Sequence, residues 1–288
     1  MRSDDLYIDL LKKTLSFQLW PEPPMPVGFF TARRKKLSER ILIHLSRFLS
    51  RWGYILAVDH CPSETARQGG EYWPGYADTM IGLKRLDNLE ACIRSVLKDD
   101  IPGDLIETGV WRGGSCIFMR GMLEALGDTQ RRVFVADSFE GLPAPEPGKY
   151  PADSGDTLHE YDVLAVAEEE VRRNFKRYGL LDNRVVFIKG FFADTLPNAP
   201  IENLSILRLD GDMYGSTIEV LEALYDKLSP GGYCIVDDYG LATCERAISD
   251  FRTARGITDK IVKIDKFGVF WRKSASETGV SDPHREHR

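Results

Sequence analysis

The chain has 288 residues, enough for one large domain with extensions or for two small ones. It is 43% hydrophobic and 28% charged, as an ordinary globular protein in water would be, and its net charge of -6 argues against nucleic acid as a partner. No apolar run reaches the roughly 20 residues needed to cross a bilayer, and the acidic start MRSDDLYIDLLKK is no secretory signal, so a cytoplasmic protein with no membrane partner is expected.

Residues 5–15, DLYIDLLKKTL, carry helical spacing, and the Pro-rich break WPEPPMP follows at 20–26. Residues 31–53 then predict a second amphipathic helix, with Leu37, Ile41, Leu45, Phe48, Leu49 and Trp52 on its apolar stripe. The basic cluster Arg33 to Lys36 at its start reads as a solvated helix end rather than a membrane contact. From residue 79 the pattern becomes regular. TMIGLKRLDNLEACIRSVLK predicts a helix, DLIETGV (104–110) a strand, and SCIFMRGMLEAL a helix. VFVADS (133–138) is a second strand, and a loop rich in Pro and Gly runs from 140 to about 160. VLAVAEEEVRRNFKRYG predicts a helix, VVFIKG (185–190) and LSILRLDG (204–211) the next strands, and STIEVLEALYDKL a helix closed by a turn at SPGG. YCIVDD (233–238) is a strand, ATCERAISDFRTARG a helix, and IVKID with GVFWRK a closing hairpin.

Strands alternating with helices, most of them apolar throughout, predict an α/β fold. Its sheet is mainly parallel, covered by helices on both faces, and extended by an antiparallel C-terminal hairpin. The organisation expected is a helical extension over 1–70, a catalytic domain over 71–273 and a disordered polar tail over 274–288. Five cysteines, Cys61, Cys92, Cys116, Cys234 and Cys244, lie scattered without CxxC spacing and read as reduced thiols rather than a zinc site.

Ligands of such sheets bind beyond the carboxyl ends of the strands, where the unusual residues of this chain collect. ETGVWRGGS follows the first strand of the sheet. It has neither the dinucleotide GxGxxG spacing nor a phosphate-binding lysine. Glu107 in that loop repels phosphate but suits a positively charged amino or sulfonium group. Asp137, at the end of the second strand, stands where a Rossmann-like sheet holds ribose hydroxyls. Together they favour S-adenosylmethionine over a reading of turn glycines and a helix cap. Phe191 and Phe192, after the third strand, could stack on an adenine ring or simply fill the core.

Asp210 and Asp212 end the fourth strand, and Asp237 and Asp238 end the fifth. Adjacent strands would bring all four together, and such crowding calls for a cation. Oxygen ligands without His or Cys select Mg²⁺, Mn²⁺ or Ca²⁺. A hydroxyl held by such a cation, with one aspartate as base and the rest as ligands, could accept a methyl group. Residue types alone do not say which aspartate is the base.

TMIGLKRLDNL, DLIETGVWRGGS, VADSFEGLP, GFFADTLP, LRLDGDMYGST and GGYCIVDDYG resemble the macrocin O-methyltransferase family, sugar O-methyltransferases of macrolide and aminocoumarin antibiotic pathways. The similarity runs from about residue 70 to 273, and even LYIDLLKKTL shares it. It implies a Class I Rossmann-like methyltransferase of seven strands using S-adenosylmethionine and Mg²⁺. It also implies that Asp210, Asp237 and Asp238 are metal ligands and that Asp212 is the general base. Glu107, Gly109, Ser115, Asp137, Ser138, Gly190, Phe191 and Phe192 would form the methyl-donor site, with Thr79 and Met80 at the helix start that closes over it. The loop after Asp137 would be a mobile lid, in which His159 is a candidate for acceptor contact. The chain would form a homo-oligomer, dimer or larger, whose N-terminal segments shape the pocket for a glycosylated small-molecule acceptor. Three alternatives stand beside this reading: a glycosyltransferase using DGD as a DxD motif, a non-catalytic ligand-binding or scaffold protein that keeps the fold, and a methyltransferase acting on a catechol-like phenol.

Overall fold

The computed structural model describes residues 2–33, 35–59 and 62–275. Helix α1 (Ser3–Leu15) is followed by strand β1 (Met25–Pro26), helix α2 (Leu37–Ser50), strand β2 (Ala57–Val58), α3 (Glu64–Gly69) and α4 (Leu83–Lys98). The alternating part comprises β3 (Asp104–Thr108), α5 (Gly114–Ala125), β4 (Val133–Asp137), α6 (Glu168–Arg177), β5 (Val185–Lys189), α7 (Phe192–Thr195), β6 (Leu204–Leu209), α8 (Tyr214–Leu224), β7 (Leu228–Val236), α9 (Ala242–Ala254), β8 (Val262–Lys263) and β9 (Val269–Arg272). One seven-stranded sheet has the order β5-β4-β3-β6-β7-β9-β8, parallel except where β9 pairs antiparallel with both β7 and β8. The alternation of elements predicts this mainly parallel sheet with its antiparallel end, and the family resemblance implies its seven strands.

Successive strand residues face opposite ways, and the two cores follow that period. Leu105, Val133, Val135, Ile206 and Ile235 pack with α1, α4, α5 and α6, while Ile106, Phe134, Leu207, Leu209, Cys234 and Val236 pack with α8 and α9. Helix α1 belongs to the first core, with Ile8, Leu11 and Leu15 buried among these residues. Burial on both faces explains why the strands read as apolar throughout.

Several local expectations are corrected. Residues 31–33, 35 and 36 are not helical. Ala32 forms a β-bridge with Tyr161, the Arg33 N–H donates to Glu160 O at 2.7 Å, and the helix starts only at Leu37. Most of the predicted stripe is exposed: Leu37, Ile41, Leu45 and Phe48 of α2 and Trp52 just beyond it, while Leu49 is half-buried. The helix predicted from Val163 starts at Glu168, where three glutamates occupy the first turn and suit the positive end of the helix dipole. The SPGG segment lies inside β7, whose register with β6 shifts between Leu204 and Ile206, so its glycines serve a bulge rather than a turn. Thr79 and Met80 precede α4 in an irregular segment and do not start the helix, which begins at Leu83. The two-residue β1 and β2 pair is too short to leave a periodic signal. Cys92, Cys116, Cys234 and Cys244 are buried free thiols. Cys61, Arg34 of the basic cluster, and tail residues 276–288 lie outside the described residues. Among the described residues, no helix is long and apolar enough to cross a membrane.

Candidate active site

A cavity of about 520 Å³ opens beyond the carboxyl ends of β3, β4 and β6, where the strand order reverses. Its size falls within the roughly 300–1,000 Å³ of small-molecule sites. Of the residues singled out above, Thr79, Met80, Glu107, Gly109, Ser115, Asp137, Ser138, Phe191, Phe192, Asp210 and Asp212 line it. Gly190, Asp237, Asp238 and His159 do not. Gly190 has φ +135° and donates its N–H to Asp137 O at 2.9 Å, so it turns the chain behind the wall rather than forming it.

The wall on the β3 side rests on one glycine. Gly109 has φ +86°, and a Cβ there would lie 1.7 Å from Asp210 O. Only glycine lets this loop cross the end of β6. Asp137 ties the loops together: one carboxylate oxygen accepts the Val110 N–H and the other the Phe139 N–H, both at 2.7 Å. Burial raises the Asp137 pKa, opposed by these backbone N–H groups. The segment carrying Thr79 is held by Arg112, which donates to Gly75 O and Ala77 O at 2.9 and 2.7 Å, and by the Gly114 N–H to Asp78 O at 2.9 Å. The Thr79 and Ser115 hydroxyls then meet at 3.3 Å. Phe192 packs against the second core while also facing the cavity, and Phe191 is exposed at the rim.

At the ends of β6 and β7, Asp210, Asp237 and Asp238 each offer a carboxylate oxygen within 4.8 Å of the others. Asp212 adopts φ +57°, a left-handed conformation that asparagine and aspartate tolerate best among residues other than glycine. Trp111 and Phe139, also bordering the cavity loops, share positive φ. Strain of this kind gathers where surrounding structure holds a site rigid. The Asp212 N–H donates to Asp238 Oδ2 at 3.0 Å, while among the described residues no donor reaches the Asp212 carboxylate. Withdrawal from water, then the charges of Asp210 and Asp237, push Asp212 up to about 8. Burial and Asp237, opposed by Arg208, bring Asp210 to about 6. Asp238 is raised as well, by burial and then by Asp212 and Asp210.

Three residues that the sequence reading missed complete the site. Arg208, 1% exposed and next to last in β6, binds Glu107 and Asp237 and reaches Asp210 Oδ2 at 2.9 Å. Arg85 of α4 binds the other oxygen of Asp237, and its Nε donates to Asp265 at 2.7 Å. Glu107 is thus not the lone loop charge expected for meeting a cationic ligand. It is already paired, and burial, offset by Arg208 and reinforced by Asp210, brings it to about 7. The third is Asp153, in the segment 139–167 that covers the cavity. Its carboxylate accepts the N–H groups of Tyr214 and Gly215 at 2.7 and 2.9 Å, the first turn of α8. A charged residue inside the apolar run LSILRL was a legible signal for Arg208. Asp153 left none, because its partners are backbone atoms 61 and 62 residues away.

Carboxylates still outnumber guanidiniums here, and every free donor is a hard oxygen. Asp237 has both oxygens engaged, yet each retains a second lone pair. The set fits a hard divalent cation.

The profile of the macrocin-O-methyltransferase (TylF) family matches residues 4–273 of this chain. The chain belongs to the macrocin-O-methyltransferase family. It is therefore an O-methyltransferase, and the glycosyltransferase reading of DGD falls away. Its similarity to curated members is high. An 8-demethyl-8-(2,3-dimethoxy-alpha-L-rhamnosyl)-tetracenomycin-C 4'-O-methyltransferase of Streptomyces olivaceus is 46% identical over 280 residues, 97% of each chain. The mycinamicin III 3''-O-methyltransferase of Micromonospora griseorubida is 44% identical, over 94% of this chain and 97% of the relative. Among solved structures, the O-methyltransferase NovP superposes with a TM-score of 0.81 at 41% identity, covering 95% of this chain and all of that one.

Proposed function

We propose that this family member transfers a methyl group from S-adenosylmethionine to a sugar hydroxyl of a glycosylated natural product, with Mg²⁺ at the acid cluster. The observation that carries the reading is one continuous cavity that reaches from Glu107 and Asp137 to Asp210 and Asp212. Relatives named for sugar methylation of antibiotics support the acceptor class. Asp137 and the Thr79–Ser115 pair would orient the donor from two sides, and Phe191 with Phe192 would shelter its adenine ring. Bound S-adenosylmethionine supplies an electrophilic methyl group. Asp210, Asp237 and Asp238 would hold the cation, which when bound acidifies and orients the acceptor hydroxyl. Asp212 would take the proton from that hydroxyl: its carboxylate faces the cavity, has no protein donor among the described residues, and has a raised affinity for protons. The segment 139–167, seated on α8 through Asp153, would exclude water from the transfer.

We also infer a cytoplasmic enzyme that assembles with copies of itself through its N-terminal region, 1–70, where the exposed apolar stripe of α2 supports a protein contact. The test of the function is Asp212→Asn. Turnover should fall by at least ~10²-fold, the usual contribution of a general base, while S-adenosylhomocysteine binding stays as in the wild type. Turnover that survives the change would remove Asp212 from the base role.

A further inference from the structure

The register of the sheet makes Glu107 of β3 and Arg208 of β6 direct partners, and Arg208 in turn pairs with Ile235 of β7, two residues before Asp237. Since alternate residues share a face, Glu107, Arg208 and Asp237 all stand on the same side of three adjacent strands. The guanidinium fills the space between them. One nitrogen, Nη1, serves both Glu107 of the cavity wall and Asp210, while Nη2 serves Asp237, whose far oxygen is fixed by Arg85. An arginine near the end of a central strand, 1% exposed, is a poor choice for stability, because desolvating it opposes the attraction of its partners. Hydrophobic neighbours such as Ile206 and Leu207 show what that strand otherwise selects. The planar fork does what no apolar residue can: it ties together carboxylates from β3 and from the ends of β6 and β7.

We propose that Arg208 is a positioning residue that couples methyl-donor binding to cation binding. The inference rests on the donor and cation sites assigned above, and it adds that they are not independent. Without a divalent cation, Asp210 and Asp237 draw on the same guanidinium that Glu107 needs. Nη1 already contacts Glu107 while it also serves Asp210; a divalent cation held by those aspartates would draw their charge away from Arg208, leave Glu107 as its main partner and hold the wall of the donor pocket more firmly. Reciprocity then requires that the donor tighten the cation by the same factor.

The experiment is calorimetric titration of the full chain with S-adenosylhomocysteine, in Mg²⁺ and in EDTA, for the wild type, Arg208→Lys, Glu107→Gln and Arg120→Lys. Arg120 is a buried guanidinium outside the site, paired with Asp182 and Glu124, and controls for the loss of any buried arginine. The wild type and Arg120→Lys should bind at least about fivefold more tightly in Mg²⁺, the lower end of typical coupling. In Arg208→Lys the ratio should fall to about one, even if each affinity changes by itself. Glu107→Gln breaks the same link from the other end and should lose the ratio too, so the result does not hang on one variant folding. A ratio of one in the wild type, or one that persists in a folded Arg208→Lys or Glu107→Gln protein, overturns the coupling while leaving the methyltransferase reading intact. Failure of the wild type to bind the ligand at all overturns both.

Discussion

Asp210 and Asp212 are separated by one glycine, yet their surroundings give them different tasks. Asp210 shares the guanidinium of Arg208, whereas among the described residues no donor reaches the Asp212 carboxylate. The left-handed turn at Asp212 sends its N–H to Asp238 and lets the helix α8 start two residues later. A pH dependence follows. Carboxylates in an unfolded chain titrate at about 4, but burial and then Asp237 hold Asp210 up at about 6, and burial and then Asp210 and Asp237 hold Asp212 up at about 8. The folded state therefore binds protons that the unfolded state has released, and this contribution to stability is lost as pH rises through the folded values. In EDTA these two groups should cost the fold more at pH 8 than at pH 6. Mg²⁺ should restore stability by an amount that grows over the same interval. Scanning calorimetry at several pH values checks this, and a Mg²⁺ gain that shrinks as pH rises would contradict it. The four aspartates were legible because acids at the ends of apolar strands stand out. The pairing of Asp210 and Asp237 with Arg208 and Arg85 is less legible, although Arg208 interrupts an apolar run. Arg85 sits on an amphipathic helix, where a cation arouses no suspicion.

At the scale of elements, the cover and the catalytic helix are one unit. Helix α8 has no side-chain cap of its own at Met213, and Asp153 provides it from the segment between β4 and α6. Tyr150 lies on the same turn: a Cβ at Gly215 would stand 2.5 Å from its ring, and its hydroxyl donates to Glu219 at 3.0 Å. Asp153→Ala should cost about 1 kcal/mol, as for a lost cap. It should also speed proteolysis within 139–167 and raise KM for the acceptor more than it weakens S-adenosylhomocysteine. Gly215→Ala should free the cover in the same way by pushing Tyr150 off. If both variants keep wild-type cleavage rates, the cover is not seated through α8. Periodicity revealed every long helix and strand of the sheet domain, because each has a buried face with a regular spacing. It overran at Val163 and at residue 31, where apolar residues serve short irregular contacts. These include the bridge from Ala32 to Tyr161 that joins the N-terminal region to the cover. Irregular segments of this kind are set by partners distant in sequence and leave no local period.

Across the whole molecule, helix α2 stands apart. Its spacing is that of a helix packed on a core, yet Ile41, Leu45 and Phe48 are 61%, 46% and 55% exposed. We expect Phe48→Glu to shift the assembly towards monomer in light scattering, with the unfolding midpoint of the sheet domain little changed, since no residue of α2 is buried in this chain. A monodisperse monomer in the wild type would leave that face without its proposed partner. Helix α1 behaves differently. It is part of the first core, so truncation before Ser16 should destabilise the enzyme itself rather than its assembly. The central claim is that one cavity runs from a methyl-donor site to Asp210, which with Asp237 and Asp238 behind it makes a cation site. A crystal of the enzyme with S-adenosylhomocysteine and Mn²⁺, measured for anomalous scattering, tests it most directly. The account predicts a single strong peak among those three carboxylates, with the adenosyl ligand along Glu107 and Asp137. An adenosyl ligand with no peak there, or a peak bound elsewhere, would contradict it.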